Sequence, residues 1–375
     1  AYWTHQAYES RYLPAFSFTG EMPGLVRSIS EIQQDDGSVR YVTQQFTRST
    51  TSLSIRQPIP FTGGSVFLSS GLSRVDQYGG FGGNSQPQWQ STPLSIGYQQ
   101  PLLAFNQMKW ERRLEPLEYE HARKSLTEEI ATLSVDVADQ FFELYIAQME
   151  VENATFNVAV NDTIYQLAQG RFDIGRIAEN DLLQSELALL NAQTALSDAE
   201  VASEEATRDL KTELGVPYDR ELEVIPPSDI PQVDIDPARA IALMRENRPD
   251  YLQLDIQSLQ AEREVARTTR QNGFSADLFA QFGLNQTGSA LSDVYTNPLN
   301  QQQFSVGFSM PIFSWGRAAA EEEAALADQR RIEESIEIRK KEFEQEVYFE
   351  VRQLQQLQQR VQIAAKADTV ADRRF

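Results

Sequence analysis

Along residues 11–103 apolar side chains alternate with Ser, Thr, Gln and Gly, and turn signals recur. A period of two broken by turn residues predicts β-strands. Residues 105–170 and 176–214 change to the helical period, and a Pro-rich connector follows at 216–236. Residues 237–272 read as helix with a break at Arg248-Pro249, because the residue before a proline avoids the α region. Residues 275–313 return to the strand pattern, and 315–373 read as a third long helix.

The helices carry seams. Ala188, Ala192, Ala195, Ala199, Ala202 and Ala206 step by 4, 3, 4, 3, 4, a helix-packing seam of alanine alone. Beside it Leu182, Leu189, Leu196 and Leu210 sit on multiples of seven. Small residues let neighbouring backbones approach, and leucine supplies bulk. A helix with two adjacent seams packs against two neighbours, which suits a curved wall of helices; an ordinary coiled-coil dimer or bundle is the plainer reading. Phe343, Val347, Leu354, Leu357, Val361 and Ala364 form a similar seam in the last helix. Gln355, Gln356, Gln358 and Gln359 beside it suit a tunnel lining or an outer surface equally.

The chain also repeats itself. Leu94-Ser95-Ile96-Gly97-Tyr98-Gln99-Gln100-Pro101-Leu102-Leu103 and Phe304-Ser305-Val306-Gly307-Phe308-Ser309-Met310-Pro311-Ile312-Phe313 share one pattern at an offset of 210 residues. Each leads into a long helix, so Pro101 and Pro311 mark two strand-to-helix junctions. A looser copy, Leu53-Ser54-Ile55-Arg56-Gln57-Pro58-Ile59, leads instead into a turn at Thr62-Gly63-Gly64. Leu167-Ala168-Gln169-Gly170-Arg171-Phe172 matches Val370-Ala371-Asp372-Arg373-Arg374-Phe375. From proline to arginine is 70 residues in the first half and 63 in the second, a difference of one heptad. The chain thus reads as a tandem repeat of strands, long helix, sharp turn and return helix. A helix of about 65 residues is roughly 100 Å long, which suits a tunnel or a fibrous coil. Ala1 opens in what reads as the tail of a helix and Phe375 stops in mid-pattern, so both ends read as incomplete.

Composition narrows the chemistry. There is no cysteine, which excludes disulfides and thiolate metal sites, and His5 and His121 lie far apart. No metal or other cofactor is expected, and no catalytic constellation points to an enzyme. A net charge of −21 disfavours nucleic acid; it fits either a solvated acidic surface or a cation-favouring conduit. No run of 18 apolar residues predicts a transmembrane helix. Gly79-Gly80-Phe81-Gly82-Gly83-Asn84 is not followed by a helix and reads as an extracellular loop. Glu321-Glu322-Glu323 and Glu128-Glu129 read as solvated helix faces.

A β-barrel route into a membrane stays open. The alternating segments have one apolar face for lipid and one polar face for a watery lumen. Trp89, Tyr98, Trp110, Phe308, Phe313 and Trp315 fall near segment ends, as interfacial aromatics do. A soluble sheet with one face on a core is the rival. The coupling of two β zones to very long helices through a repeated Pro junction favours the membrane. Two β zones are too few strands to close a barrel, so closure requires several copies in cyclic symmetry.

Arg171-Phe172-Asp173-Ile174-Gly175, with Ala178 and Asp181-Leu182-Leu183-Gln184-Ser185-Glu186 following, resembles the hairpin tip and return helix of TolC-like outer-membrane efflux ducts. Asn247-Arg248-Pro249-Asp250-Tyr251 resembles that family's second-half entry helix, Leu13-Pro14-Ala15-Phe16 its first strand entry, and the two Pro junctions its second and fourth strands. The resemblance covers nearly the whole chain. It implies a mixed α and β fold: a trimeric transmembrane β-barrel continuous with a long α-helical coiled-coil tunnel in the periplasm of a Gram-negative bacterium. It implies passive export of drugs, small molecules or proteins, within a tripartite efflux pump or a type I secretion system. The implied partners are two further copies, a periplasmic adaptor, an inner-membrane pump and outer-membrane lipid. Arg171, Phe172, Asp173, Ile174 and Gly175 match the tip where the adaptor docks, and Asp181 matches a contact that holds the tunnel shut.

The resulting division is a first β zone over 1–103, a first helical hairpin over 104–215 with its tip at 171–181, and a connector with entry helices over 216–273. A second β zone over 274–314 and a second tunnel helix over 315–375 complete it. One departure stands out. Pro14 to Pro101 is 87 residues, whereas Ser275 to Pro311 is 36. The excess reads as an extra β-hairpin around 40–75, placed either in the barrel or outside it as a loop. The competing function is a coiled-coil periplasmic adaptor or scaffold without a pore.

Overall fold

In a computed structural model the described residues are 2–33, 37–78, 87–220, 222, 224–225, 227 and 233–373. The glycine-rich segment 79–84 and the final Arg374 and Phe375 lie outside them. The elements run α1 (Tyr2–Ser10), β1 (Ala15–Gln33), β2 (Val39–Ile59), β3 (Gly64–Tyr78), β4 (Pro87–Leu102), α2 (Gln107–Asp173) and α3 (Glu179–Leu214). They continue with α4 (Pro237–Asn247), α5 (Pro249–Gln271), β5 (Ser275–Gly288), a 3₁₀ turn (Asp293–Tyr295), β6 (Leu299–Ser309) and α6 (Arg317–Asp372). Two compact units result, Ala1–Arg123 with Met244–Val347, and Lys124–Leu243 with Tyr348–Phe375.

The first unit holds one antiparallel sheet in the order β1-β2-β3-β4-β5-β6. The extra residues of the first half form β2 and β3, which lie inside this sheet between β1 and β4. Among the described residues, 39–44 of β2 pair with β1 alone. Three irregularities, between Glu21 and Gly24, Ser69 and Gly71, and Ser91 and Leu94, interrupt the ladders. Such bulges bend a sheet and increase its twist.

The helices of this unit have a small core. Leu114 on α2 packs with Ile256 and Leu259 on α5, flanked by Trp110, Leu117 and Leu252. Trp110 is therefore a core residue of the helices and not an interfacial aromatic, a correction to the sequence-based expectation. Its indole also underlies the Arg113 guanidinium at 4.9 Å. Arg248 caps the start of α5 and ties it to α6: it donates to Asp250 at 3.1 Å and Glu346 at 3.0 Å and lies 4.4 Å over the Phe343 ring. At the other end of α5, Asn272 Nδ2 donates to Glu321 at 2.9 Å and Thr269 Oγ1 donates to Glu322 at 3.0 Å. Glu321 and Glu322 thus hold α6 against the end of α5, where the sequence suggests free, solvated carboxylates.

The second unit is helical. Helix α2 shows a covered stripe through Phe141, Leu144, Ala147, Val151, Ala154, Val158, Tyr165 and Ala168. Helix α3 covers Leu182, Leu189, Ala192, Leu196, Ala199, Ala206 and Leu210. It ends on Gly215 at φ +64°, where Lys211 and Thr212 carbonyls accept from the turn. The connector passes along α6 in this unit. Gln355 Nε2 donates to the Ile235 carbonyl at 3.3 Å and Gln358 Nε2 to that of Val233 at 3.0 Å.

Candidate functional site

The sheet has two chemically distinct faces. Directly paired residues share a face, so reading across the ladders gives each row. One row is Phe16, Ile55, Leu68, Ile96 and Phe282; another is Val66, Tyr98, Ala280 and Phe304. Phe18, Leu53, Leu94, Leu284, Leu278, Val306 and Phe308 extend the same face. Phe16, Phe18, Leu53, Ile96, Phe282, Phe304, Val306 and Phe308 are all exposed. On β5 this apolar band spans Ala276 to Leu284. At about 3.3 Å per residue and a tilt near 40° that is roughly 23 Å, close to the apolar band of an outer-membrane barrel.

The opposite face is polar. Its central row is Ser17, Ser54, Ser69, Ser95, Gly283 and Gln301. The Ser17 and Ser54 hydroxyls lie 2.6 Å apart, as do those of Thr19 and Ser52, and Gln281 Nε2 donates to Ser95 Oγ at 2.6 Å. One apolar feature interrupts it. Phe67 stacks on Phe279 with centroids 6.0 Å apart, beneath Arg56 at 5.7 Å. The Phe67 ring lies flat over Gly97, where an added Cβ would stand 2.1 Å from it.

Each strand-to-helix junction is built around its proline. Pro101 lies in the last rungs of β4, opposite Asp277. Leu103 then turns the chain at φ +63°, a conformation costly for leucine. Asn106 caps α2, accepting from the Lys109 N–H at 3.1 Å. Its Nδ2 also donates to the Pro60 and Phe61 carbonyls at 3.0 and 3.3 Å, and Gln100 Nε2 donates to Thr62 at 2.8 Å. The β2–β3 turn is thereby clamped onto this junction. Pro311 follows β6, and Trp315 takes φ +53° before α6. Here Ile312, Phe313 and Trp315 are 90%, 70% and 89% exposed.

The helical hairpin tip joins α2 to α3. Arg171, Phe172 and Asp173 finish α2, and Gly175 adopts φ +71°. The Gly175 N–H donates to the Phe172 carbonyl and the Arg176 N–H to that of Arg171, both at 2.8 Å. This is a Schellman end, which requires a residue able to sit in the left-handed region. A Cβ added to Gly175 meets nothing within 4 Å. Glycine is therefore needed for the turn's backbone and not for lack of space. Phe172 and Ile174 are exposed apolar residues on this turn. The structure brings Arg171 to Gly175 together in one turn, whereas Asp181 sits in the first turn of α3. There its carboxylate accepts from the Ala178 N–H at 3.4 Å, half of a capping box.

The alanine seam divides. Ala192, Ala199 and Ala206 are covered together with Leu182, Leu189, Leu196 and Leu210, while Ala188, Ala195 and Ala202 are exposed. Leu183, Leu187, Leu190 and Val201 form a second exposed apolar stripe on α3. On α2 the matching stripe is Phe142, Ile146, Met149, Phe156, Val160 and Leu167. On α6 the most covered residue of the seam is Val351, which falls in the gap between Val347 and Leu354; Leu357, Val361 and Ala364 are exposed.

Among the described residues no cluster of His, Asp and Glu could hold a metal, and no helix is long and apolar enough to cross a membrane. The junction clamp of Gln100 and Asn106 escaped sequence reasoning, although Asn106 just before a helical pattern is an N-cap signal.

The family model Outer membrane efflux protein matches residues 32–216. A curated protein of Haemophilus influenzae, described as uncharacterized, is 28% identical over 115 residues. That match spans 29% of this chain and 25% of the relative. The fold is similar to that of the outer-membrane protein VceC of Vibrio cholerae, with a TM-score of 0.62 at 12% identity over 98% of this chain and 75% of that one. It is similar also to the MtrE outer-membrane channel of Neisseria gonorrhoeae in its open state, with 0.60 at 15% over 97% and 70%. The outer-membrane channel OprN gives 0.63 at 16% over 97% and 71%. Residues 32–216 match the family model and the chain shares with these channels a mixture of helices and antiparallel sheet, so it is similar to the outer-membrane efflux proteins.

Proposed function

We propose that three copies of this chain form an exit duct of the outer membrane, with the sheet crossing the lipid and the long helices walling a periplasmic conduit. Members of the family are channels and not enzymes, which typically trimerise and work with an adaptor and an inner-membrane pump. The observation that carries the reading is the two-faced sheet. An exposed apolar band of membrane height on one face and a row of Ser, Thr and Gln on the other suit lipid outside and water within. The bare second stripes on α2 and α3 support lateral packing between copies, since an apolar heptad seam left in water is costly. A pore-less adaptor or scaffold has no use for such a band. Transport is passive in this reading, with the energy supplied by the pump.

Planar-bilayer recording of the whole protein tests this. Stable single-channel conductance from a species with the mass of three copies is expected. A monomer or dimer without conductance overturns the duct. The tip, proposed as the adaptor's docking point, has a sharper test. Asn tolerates a positive φ, so Gly175→Asn keeps the turn and adds a side chain in open space. Trimers assemble normally and export falls; export at the unsubstituted level removes the docking role.

A further inference from the structure

The second half of the repeat contributes two strands, and a first half of the same design would also contribute two. The first half contributes four, β1 to β4, and all six described strands lie in one sheet. We propose that the duct closes as an eighteen-stranded barrel, six strands from each of three copies, with β1 of one copy paired to β6 of the next. The inference rests on the duct reading above and goes beyond it, because it fixes the partner surface and the width of the exit.

The hairpin's place in the sheet carries the argument. Strand β2 from Gln45 to Ile59 is paired on both sides, with β1 and β3, and β3 is paired on both sides with β2 and β4. They also obey the face rule of the other strands. Leu53, Ile55, Val66 and Leu68 stand in the apolar rows, and Ser52, Ser54, Ser65 and Ser69 in the polar ones. A projecting loop has no reason to keep both registers in step with a membrane face. Its turn is moreover fixed to the α2 cap by Asn106 and Gln100. Folding the hairpin outward would break two ladders and this clamp together.

The edges identify the occupant as a second copy. Among the described strands, β1 and β6 have a partner on one side only. The apolar band runs out to both of them, through Phe16 and Phe18 on β1 and Phe304, Val306 and Phe308 on β6. The polar face reaches them too, through Ser17 and Thr19, and Gln303 and Ser305. Lipid offers no partner for unpaired backbone N–H and C=O groups, so each edge needs another strand with the same two faces. β6 has 11 residues, the length a tilted strand needs to cross the membrane, about 9 to 11. At equal tilt, barrel diameter grows roughly with strand number, so eighteen strands make a lumen about half as wide again as twelve. Barrels of sixteen to eighteen strands leave an aqueous channel, here lined mainly by Ser, Thr and Gln with Arg56 and Asp277 among them. The exit then passes bulkier polar solutes than two strands per repeat half would allow.

The chain has no cysteine, so disulfide pairing in membranes is free of background. Ser69 and Ser95 are direct partners. Ser69→Cys with Ser95→Cys should link within one copy. Ser17→Cys combined in turn with Gln303→Cys, Ser305→Cys and Ser309→Cys should, in at least one pairing, link copies into a ladder ending at three. Electron microscopy of the trimer in lipid should show eighteen strands. A link within one copy between Ser17→Cys and Ser95→Cys, no link between positions 69 and 95, and twelve strands overturn the inference while sparing the duct. No link between copies and the mass of a single chain overturn the duct reading itself.

Discussion

Gly97 and Gly307 hold the same place in the two halves of the repeat, yet their surroundings differ. Gly97 lies under the Phe67 ring, in contact with a neighbouring strand that the first half alone possesses. Gly307 lies on β6, the last strand of the sheet, and an added Cβ there meets nothing within 4 Å. The two junctions differ in the same way. The first is closed by the β2–β3 turn through Asn106 and Gln100; the second leaves Ile312, Phe313 and Trp315 bare. The inserted hairpin therefore does more than add width. It supplies the first half with an internal neighbour, whereas the second half keeps an open edge and open junction that only another molecule or lipid can cover.

Three sets of substitutions sharpen or break this comparison. The largest effect is expected at the paired glycines. Gly97→Leu forces a side chain into the Phe67 ring and should cost about 3 kcal/mol or more, read as a lower melting temperature and poor trimer yield. Phe67→Ala should restore part of it. Gly307→Leu should cost far less, and equal losses at both sites would mean that Gly307 is as enclosed as Gly97. Next come the caps. Asn106→Ala removes the α2 cap and both hydrogen bonds that its amide donates to the hairpin turn, for about 2 kcal/mol. Ser314→Ala removes one long hydrogen bond to the Ala318 N–H, for about 0.5 kcal/mol. Melting curves that rank them the other way would remove the clamp's importance.

The smallest effect is at Glu321. The Asn272 amide and the Arg317 guanidinium hold its carboxyl below the usual carboxylate range. The folded state thus favours the ionised form. Its contribution is present above the ordinary carboxylate pKa and is lost as pH falls through the depressed value. Amide exchange at residues 268–272 should accelerate there in the wild type, while Glu321→Gln should lack that pH-dependent step. Parallel profiles would mean that the contact carries no weight.

The mixed architecture of helices and an antiparallel sheet was readable because the hydrophobic period changes from two to that of a helix at each junction. The duplicated Ser-x-Gly-aromatic pattern and the tip sequence at Arg171–Gly175 pointed to the family. The position of the added hairpin was not readable. Leu53-Ser54-Ile55 alternates identically in a barrel wall and in a projecting loop, and only its pairing partners decide. The fate of the alanine seam was hidden because two adjacent seams look alike in sequence, and one copy covers a single one. Glu321, Glu322, Gln355 and Gln358 looked solvated because their partners lie on segments far away in sequence. Gly175 was legible as a turn glycine, but its open surroundings are a fact of three dimensions.

The β4–β5 ladder has a further consequence, for the order of folding. Strands β1 to β4 are close in sequence and can pair as soon as they are made, and β5 with β6 likewise. Pairing β4 with β5 closes residues 103–274 into a loop that holds α2 to α5. Loop entropy makes such a contact late, after the intervening helices have shortened the distance to be searched. Until that seam zips, the chain carries two half-sheets with four raw edges, and this is the interval in which it is most exposed to pairing with the wrong strand.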